Sequence, residues 1–266
     1  MTDAYVETTI LTDILLKPST GKQQRAKAAL ARYENTLLPV YSIKEWKAGP
    51  LGKFAYVHNK LVQTKSLADT LKAVSALARG SYLQATSIEA LAAAGERSKR
   101  QPRVFVGLGD SDKENADSYR LALESLIIRS WRRRRKITTR VVDELACYVE
   151  VSPRIGKDGL LDLKPQQCDR DQECCLAPKL RSEPEMLEAL RNSIPENSGK
   201  AEHQRRRRAL KQLIKHPRER VGSEVCRDLG DAIFAFFCPK NAVVLTTNLR
   251  DHEPLARSIG KEAEGP

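Results

Sequence analysis

The sequence is poor in aromatic residues and contains no long apolar run. Phenylalanine, tryptophan and tyrosine make up only 5% of its 266 residues, against 41% hydrophobic residues in all, so its core must be mostly aliphatic. No stretch approaches the roughly 20 consecutive apolar residues of a membrane-spanning helix, and the first residues lack a basic segment followed by an apolar one. These absences favour a globular chain and predict a cytoplasmic location.

The cysteines lack the spacing of a disulfide framework or of a paired zinc-knuckle motif. There are six of them: Cys147, Cys168, Cys174, Cys175, Cys226 and Cys238. In a reducing cytoplasm they are expected to remain thiols. A zinc site at Cys168, Cys174 and Cys175 is the alternative, but adjacent cysteines make poor tetrahedral ligands.

The charge balance is strongly basic. Lysine and arginine total 46 against 34 acidic residues, which gives a formal net charge of +12. Such an excess favours a polyanionic partner such as nucleic acid, although membrane-surface and ribosome-associated proteins are basic too. The positive charge is densest in two runs, which are Arg132, Arg133, Arg134, Arg135 and Lys136, and Arg205, Arg206, Arg207 and Arg208.

These two basic runs are predicted to bind nucleic acid. Arginine and lysine side chains neutralise backbone phosphates and give salt-sensitive affinity that does not depend on sequence. Four adjacent arginines cannot share one helical face, so the local positive field is high. The alternatives are a solvated helix surface and a docking surface for an acidic protein such as an antitoxin.

Apolar strands alternate with helices along most of the chain, as is typical of an α/β fold in which helices cover a parallel sheet. Strands are predicted at residues 4–7, 37–41, 104–108 and 242–246. Helices are predicted at residues 10–16, 22–35, 61–94 (two helices, with a break at Gly80), 116–135, 229–237 and 253–259. A further helix after the second strand is predicted to have Ser42 as its N-cap and to end at Gly49 and Pro50.

This alternation is lost between residues 137 and 221. The segment is predicted to contain a β-hairpin, with strands at residues 146–151 and 160–163, followed by helices at residues 185–193 and 201–215. We therefore predict that residues 1–136 and 222–266 form one core. Residues 137–221 are predicted to form a basic α+β subdomain inserted into it.

Three acidic residues occupy comparable places relative to the predicted strands. Glu7 ends the first strand, Glu45 lies on the helix after the second, and Asp231 begins the helix before the last. Residues just beyond the carboxyl ends of parallel strands collect in one crevice, so these side chains are expected to meet. Grouped carboxylates are typical ligands of Mg²⁺ or Mn²⁺, which can activate a water for in-line attack on a phosphodiester.

Four short motifs around these acids resemble those of PIN domains. They are residues 5–16 (YVETTILTDILL), 42–46 (SIKEW), 230–235 (GDAIFA) and 244–252 (VLTTNLRDH). PIN domains open with an apolar strand that ends in an acidic residue. Their later motifs are an acidic residue after strand two, an Asp-Ala-Ile helix start and a Thr-x-Asn-x-x-Asp loop. The likeness covers about residues 4–136 and 226–260, with the motifs in the expected order.

The resemblance implies a three-layer α/β/α sandwich with a central parallel sheet, and an endoribonuclease that cleaves RNA with a divalent metal. The implied cofactor is Mg²⁺ or Mn²⁺, held by Glu7, Glu45, Asp231, Asn248 and Asp251. The implied catalytic residues are Glu7, Glu45, Asp231 and Asp251, with Thr8 or Thr246 positioning a ligand or phosphate. Toxin-type members of the family imply a toxin or phage-defence effector with an antitoxin as its partner.

Two residues depart from the family pattern and keep other functions open. Glu7 stands where aspartate is usual, which would shift the metal or weaken its site. His252 stands where an aromatic residue is usual and is interpreted as a packing residue rather than a catalytic base. One alternative is therefore a catalytically silent PIN-like module that binds nucleic acid or protein. Another is a nuclease acting on DNA, since the carboxylate chemistry is the same for both polymers.

Overall fold

The computed structural model describes residues 2–17, 21–100, 111–145, 150–163, 176–216 and 222–266. Some predicted features lie outside the described residues: the strand at 104–108, most of the hairpin strand at 146–151, and Cys147, Cys168, Cys174 and Cys175. The other two cysteines, Cys226 and Cys238, are buried thiols. No helix within the described ranges is both long and apolar enough to cross a membrane.

A parallel β-sheet forms the centre of the fold. Its five strands in the described residues are β1 (Asp3–Val6), β2 (Thr36–Pro39), β3 (Arg140–Val142), β6 (Ala242–Leu245) and β7 (Glu262–Glu264). Their spatial order is β3-β2-β1-β6-β7, and every neighbouring pair is parallel. The predicted α/β class is confirmed, and β1, β2 and β6 agree with their predicted positions to within two residues.

Helices cover both faces of this sheet. The helices before residue 137 are α1 (Thr8–Leu15), α2 (Gly21–Leu30), α3 (Val40–Trp46), α4 (Gly52–Thr64), α5 (Leu67–Ser75), α6 (Tyr82–Arg100) and α7 (Asp112–Arg133). The later helices are α8 (Leu176–Arg181), α9 (Pro184–Asn192), α10 (Ala201–Lys215), α11 (Ser223–Leu229), α12 (Asp231–Phe237) and α13 (Leu249–Ser258). The predicted helices at 185–193 and 201–215 correspond closely to α9 and α10.

Each face of the sheet carries its own hydrophobic core. Side chains alternate along a strand, so Val6 packs with α1, α4 and α7, whereas its neighbour Tyr5 packs with α9, α10 and α12. The side chains of β6 alternate in the same way: Leu245 lies in the core that contains Val6, and Val244 lies in the core that contains Tyr5. The expected three-layer α/β/α sandwich is therefore confirmed.

The region predicted as an insertion is part of this sandwich. β3 pairs with β2, with Val141 opposite Leu38, so the central sheet continues past the predicted boundary at residue 137. Leu187 of α9 and Leu210 of α10 are buried in the same core as Phe234 of α12. A helix buries its apolar face against the nearest apolar surface, and for α9 and α10 that surface is the sheet with α12. These helices form the third layer instead of the separate subdomain that was predicted.

The predicted hairpin is present but starts later in the chain. It pairs β4 (Arg154–Ile155) with β5 (Leu161–Asp162) in antiparallel fashion. The side chain of Asn59 in α4 holds it, since its Nδ2 donates to the carbonyl of Leu161 at 3.1 Å and its Oδ1 accepts from the Leu161 N–H at 2.7 Å. The hairpin thus packs on the opposite layer from α9 and α10.

The helix that carries Glu45 begins earlier than predicted. It starts at Val40, directly after Pro39, and Ser42 lies inside it instead of capping it. The hydroxyl of Ser42 donates to the carbonyl of Val6 at 2.6 Å. This bond anchors α3 to the end of β1 and so brings Glu45 towards the residues that follow that strand.

The same helix does not end at Gly49 and Pro50. A π-helical turn, Lys47–Leu51, carries the chain through these residues into α4. A π turn tolerates proline, which has no N–H to donate, because its wider backbone departs from the regular hydrogen-bond pattern. The predicted end is wrong, and Ala48, Gly49 and Pro50 of this turn line the cleft beside Glu45.

Candidate functional site

The carboxyl ends of β1 and β6 form a topological switch point. β1 connects to β2 on one side, whereas β6 lies on its other side and connects outward to β7. Connections that leave neighbouring strands in opposite directions open a crevice, which is the usual ligand site of open α/β sheets. In this protein the crevice leads into a cleft of about 960 Å³, and Glu7, Thr8 and Glu45 line it.

Glu7 follows β1 and caps α1. Its Oε2 accepts hydrogen bonds from the backbone N–H of Thr9 at 2.9 Å and from the hydroxyl of Thr246 at 3.1 Å, and the Thr9 hydroxyl also donates to it. The residue is buried, and burial raises the pKa of its carboxyl despite these bonds. Because Thr246 directly follows β6, these contacts fix the carboxylate between the ends of the two central strands.

Glu45 reaches the same crevice from α3. The hydroxyl of Thr8 donates to its Oε2 at 2.9 Å, so the residue next to Glu7 positions the second acid. Burial, followed by the negative charges of Glu7 and Asp231, raises the pKa of Glu45 to about 7. A carboxyl group in such a place gains from any cation that offsets the charge of its ionised form.

Asp231 begins α12 and is held by two basic side chains. The Nη2 of Arg206 lies 2.6 Å from its Oδ2, and the Nε2 of His252 lies 3.3 Å from its Oδ1. Burial acts to raise its pKa, but His252 and Arg206 hold the pKa of Asp231 well below its ordinary value. The aspartate is therefore ionised, and the protein itself neutralises its charge.

Glu7, Glu45 and Asp231 lie close enough together for each charge to act on the others. Glu7 and Asp231 raise the pKa of Glu45, and Asp231 raises that of Glu7. Within the described residues, however, no group of three His, Cys, Asp or Glu side chains is arranged to hold a metal ion. Protein groups already engage two of these carboxylates, since Thr9 and Thr246 donate to Glu7 and Arg206 pairs with Asp231.

Asp251 and Asn248, the other two predicted ligands, are engaged outside this cleft. The Oδ1 of Asp251 lies 2.5 Å from the Nζ of Lys200 and 3.3 Å from the Nε2 of His203. The side-chain amide of Asn248 donates to its Oδ2 at 3.1 Å. Neither residue is among those that line the cleft, and of the five predicted ligands only Glu7 and Glu45 are. The backbone N–H of Asn248 donates to the hydroxyl of Thr246 at 2.9 Å, so this residue still contacts the group that holds Glu7.

The first basic run is only partly exposed. Arg134 is 2% exposed, with its guanidinium 3.6 Å from the ring centroid of Trp131, and it pairs with Glu150. Arg135 also pairs with Glu150, at 2.9 Å, but remains on the surface. The other exposed members are Arg132, Arg133 and Lys136. Because Arg134 is buried, it cannot be part of the predicted nucleic-acid surface. Its contacts stabilise the end of α7 instead.

The second basic run is divided in the same way. Arg206 is buried and points to Asp231, so it belongs to the acidic cluster and not to the surface. Arg207 donates to the carbonyls of Arg191 and Ile194 at 2.8 and 3.0 Å, which ties α10 to the end of α9. The exposed members are Arg205 and Arg208. The prediction of nucleic-acid contact therefore remains only for the exposed members of each run.

Basic residues around the acids were the part of the site that sequence reasoning missed. Lys200, His203 and Arg206 follow one another at intervals of three, a spacing that places side chains on one helix face. That spacing was a usable signal, but only the packing of α10 shows that this face meets aspartates. His252 does pack, with its ring centroid 5.6 Å from that of Phe234, and it also contacts Asp231.

Gly230 separates α11 from α12 and lies against Arg206. Its φ of +47° and ψ of −120° are rarely adopted by residues with a side chain, and a Cβ there would lie 3.3 Å from the Nη2 of Arg206. We expect Gly230→Ala to lower the free energy of unfolding, measured with urea, by about 1–3 kcal/mol. Gly199→Ala is the control, since a Cβ at Gly199 meets no atom within 4 Å. Equal losses in the two variants would contradict this account of the turn.

No family model, no curated protein and no solved structure matches the chain. The likeness to PIN domains therefore remains a prediction that rests on the four sequence motifs.

Proposed function

We propose that this chain is a metal-dependent phosphodiesterase of the PIN-domain kind that cleaves RNA. The observation that carries the proposal is that Glu7 and Glu45 line a cleft of about 960 Å³, with Asp231 near enough for its charge to act on both. Carboxylates gathered at one edge of a sheet repel one another, and hard divalent cations offset that repulsion. Mg²⁺ or Mn²⁺ is therefore the proposed cofactor.

The contacts of the cluster support a distinct role for each residue. Glu7 and Glu45, with Asp231, would hold the ion through carboxylate oxygens, the donors that these ions prefer. Thr246 and Thr8 orient the two glutamates through their hydroxyls. A bound ion would supply an activated water and stabilise the leaving oxygen of the phosphodiester. For Asp231 to act as a ligand, Arg206 must release its Oδ2.

The rim of the cleft supports a polyanionic substrate. Lys22, Arg25 and Arg227 line the cleft and are exposed, so they can neutralise backbone phosphates close to the carboxylates. The sequence motifs favour RNA over DNA, and the cytoplasmic location predicted from the sequence is part of this proposal. DNA is the alternative polymer, since metal-activated water cleaves both.

Tyr82 is placed to stack on a base of that substrate. It lines the cleft and is 58% exposed, although it is a large aromatic residue in a chain that has few. Stacking on an aromatic ring contributes about 1–3 kcal/mol per base, so Tyr82→Ala is expected to weaken binding of single-stranded RNA at least about fivefold. Fluorescence anisotropy in EDTA measures this without cleavage, and Tyr82→Phe, which keeps the ring, is expected to bind normally. Unchanged affinity in Tyr82→Ala would exclude the stacking role.

A catalytically silent module that binds nucleic acid or protein is the second candidate. It is favoured by the ion pairs of Arg206 with Asp231 at 2.6 Å and of Lys200 with Asp251 at 2.5 Å. In these pairs basic side chains supply the positive charge that a metal would otherwise bring. An acidic protein such as an antitoxin is the partner that the exposed arginines of α7 and α10 would fit.

Cleavage of a labelled RNA by the purified chain tests the proposal. We expect Mg²⁺ or Mn²⁺ to be required and EDTA to stop the reaction. Asp231→Asn is expected to lower the rate by at least about tenfold. This rate loss is smaller than the one expected for a metal ligand without an ion pair, because Arg206 already neutralises the Asp231 carboxylate. Asp117→Asn is the matched control, since Asp117 is a 59% exposed acid on α7.

Two outcomes would count against the proposal. RNA binding without cleavage in either ion would favour the silent module. Equal rates in the wild type and Asp231→Asn would remove Asp231 from the mechanism.

A further inference from the structure

A second cavity, of about 520 Å³, lies beside α10 and α13, and Arg206 connects it to the acidic cluster. Its charged or titratable lining residues are Lys200, His203, Arg206, Arg250 and Asp251. Arg206 therefore lines this cavity and also pairs with Asp231 of the acidic cluster. The volume falls within the roughly 300–1,000 Å³ of typical small-molecule sites.

The lining of this α10 cavity carries an excess of positive charge. Lys200, Arg206 and Arg250 are cationic, whereas Asp251 is the single carboxylate among the residues that line it. Lys200 and Asp251 neutralise each other at 2.5 Å. Arg206 is balanced only by Asp231, which is not part of the lining, and Arg250 is exposed and forms no ion pair with any described residue. An anion is the ligand that this balance favours.

Two donors of the cavity, His203 and Arg206, are held in fixed positions. The ring of His203 lies between the Oγ of Ser198, at 2.9 Å from its Nδ1, and Asp251, at 3.3 Å from its Nε2. The side chain of Arg206 is 7% exposed, and its Nε donates to the carbonyl of Leu229 at 3.1 Å. A guanidinium held in this way presents its planar N–H groups at a constant geometry, which suits the oxygens of a phosphate.

We propose that the α10 cavity is a phosphate-binding site in which Arg206 and Arg250 are the principal cationic contacts. The excess of positive charge excludes a cation as the ligand, and guanidinium groups pair with phosphate oxygens by two parallel hydrogen bonds. A free phosphate ion and the terminal phosphate of an oligonucleotide share this chemistry.

Phosphate in the cavity also acts on the acidic cluster, a consequence that rests on the proposed function. Arg206 is common to both sites, so a phosphate that engages its guanidinium competes with Asp231 for it. Asp231 then becomes available as a ligand beside Glu7 and Glu45. By reciprocity, phosphate and the divalent metal each strengthen the binding of the other.

Calorimetric titration of inorganic phosphate into the full chain, in chloride buffer without divalent metal, tests the site. We expect saturable binding that Arg250→Ala weakens about tenfold, the effect of losing one charge-assisted contact. Arg257→Ala is the matched control on the same helix, because Arg257 is 75% exposed and pairs with Glu253, and it is expected to bind as the wild type does. Absence of binding in the wild type, or equal affinities in the two variants, would overturn the proposal.

Oligonucleotides distinguish the two sources of phosphate. A 5′-phosphorylated strand that binds about tenfold more tightly than its hydroxyl form, with the difference lost in Arg250→Ala, identifies a strand end as the ligand. Phosphate binding without that difference identifies the free ion. Neither titration involves metal or cleavage, so a failed nuclease assay would leave the phosphate site standing, and a failed phosphate titration would leave the nuclease proposal standing.

Discussion

Glu45→Gln is expected to lower RNA cleavage by about 10²–10³-fold while making the metal-free protein more stable. The rate falls because a neutral amide does not offer the charged oxygen that a divalent ion requires. Stability rises because the pKa of Glu45 is raised to about 7, first by burial and then by Glu7 and Asp231. At about pH 8 the Glu45 carboxylate is ionised in a place that disfavours its charge. Glutamine carries no charge, so the free energy of unfolding is expected to rise by about 1–3 kcal/mol.

Single-turnover cleavage and urea denaturation of the same preparations measure the two effects. Glu253→Gln is the control, since Glu253 is 41% exposed and pairs with Arg257 four residues later. If Glu45 binds the metal, its replacement lowers the cleavage rate and raises the free energy of unfolding. If Glu45 only supports the fold, its replacement lowers both. A parallel loss of both in Glu45→Gln would assign Glu45 to the fold.

Stabilisation by Mn²⁺ is expected to grow steeply from about pH 6 to about pH 8. Metal ligands must be deprotonated, and the Glu45 carboxyl, with its pKa raised to about 7, still holds its proton at about pH 6. Below that pKa the ion must displace the proton, which lowers its affinity by up to about tenfold per pH unit, roughly 1.4 kcal/mol. For a chain of this size each kcal/mol corresponds to about 2–4 °C in Tm.

Without metal, the Glu45 carboxyl makes the fold less stable as the pH rises. A carboxyl whose pKa is higher in the folded chain than in the unfolded chain stabilises the fold at low pH, and that contribution is lost from about pH 4.5 to about pH 7. Glu144 acts in the same direction, since burial raises its pKa to about 7 although it accepts hydrogen bonds from the N–H groups of Val40 and Tyr41. It lies apart from the cleft lining, so its contribution does not depend on Mn²⁺.

Thermal denaturation at several pH values, with and without Mn²⁺, separates the two glutamates. Glu144→Gln is expected to keep the growth of the Mn²⁺ effect with pH, and Glu45→Gln to reduce it, with the remainder due to Glu7, whose pKa burial also raises. A Mn²⁺ effect of the same size at every pH in the wild type would mean that no ligand with a raised pKa takes part in binding.

The acids of the site were predictable because their positions are local features of the sequence. Glu7 directly follows an apolar run, and Asp231 opens another, so each can be assigned to the end of an element without knowing the fold. A parallel sheet then gathers such ends at one edge. Glu45 required more, since its helix was predicted with the wrong start and end, but a shift of three residues at the start left it on the same element.

Other elements were not predictable, because tertiary packing decides them. β7 has the sequence Glu-Ala-Glu, without the apolar alternation that marks a strand, and it exists through its pairing with β6 at the sheet edge. β3 is likewise mostly exposed, and its three residues lie where the strand-helix alternation is lost, so the sequence placed them in the insertion. Edge strands need little apolar surface, and their pairing partners are distant in sequence.

The roles of individual arginines were also beyond the sequence. Arg206 and Arg134 each lie within a basic run, where an exposed side chain is the ordinary expectation, yet both are buried. Burial of an arginine requires a partner, and Asp231 and Glu150 are 25 and 16 residues away along the chain. Only the fold identifies such partners.

The central claim, that Glu7 and Glu45 bind a shared divalent ion, is tested most directly by calorimetry with Mn²⁺ at about pH 8. We expect saturable binding by the wild type and none by the Glu7→Gln, Glu45→Gln double variant. Equal affinity in both proteins, or no binding by the wild type, would contradict the claim.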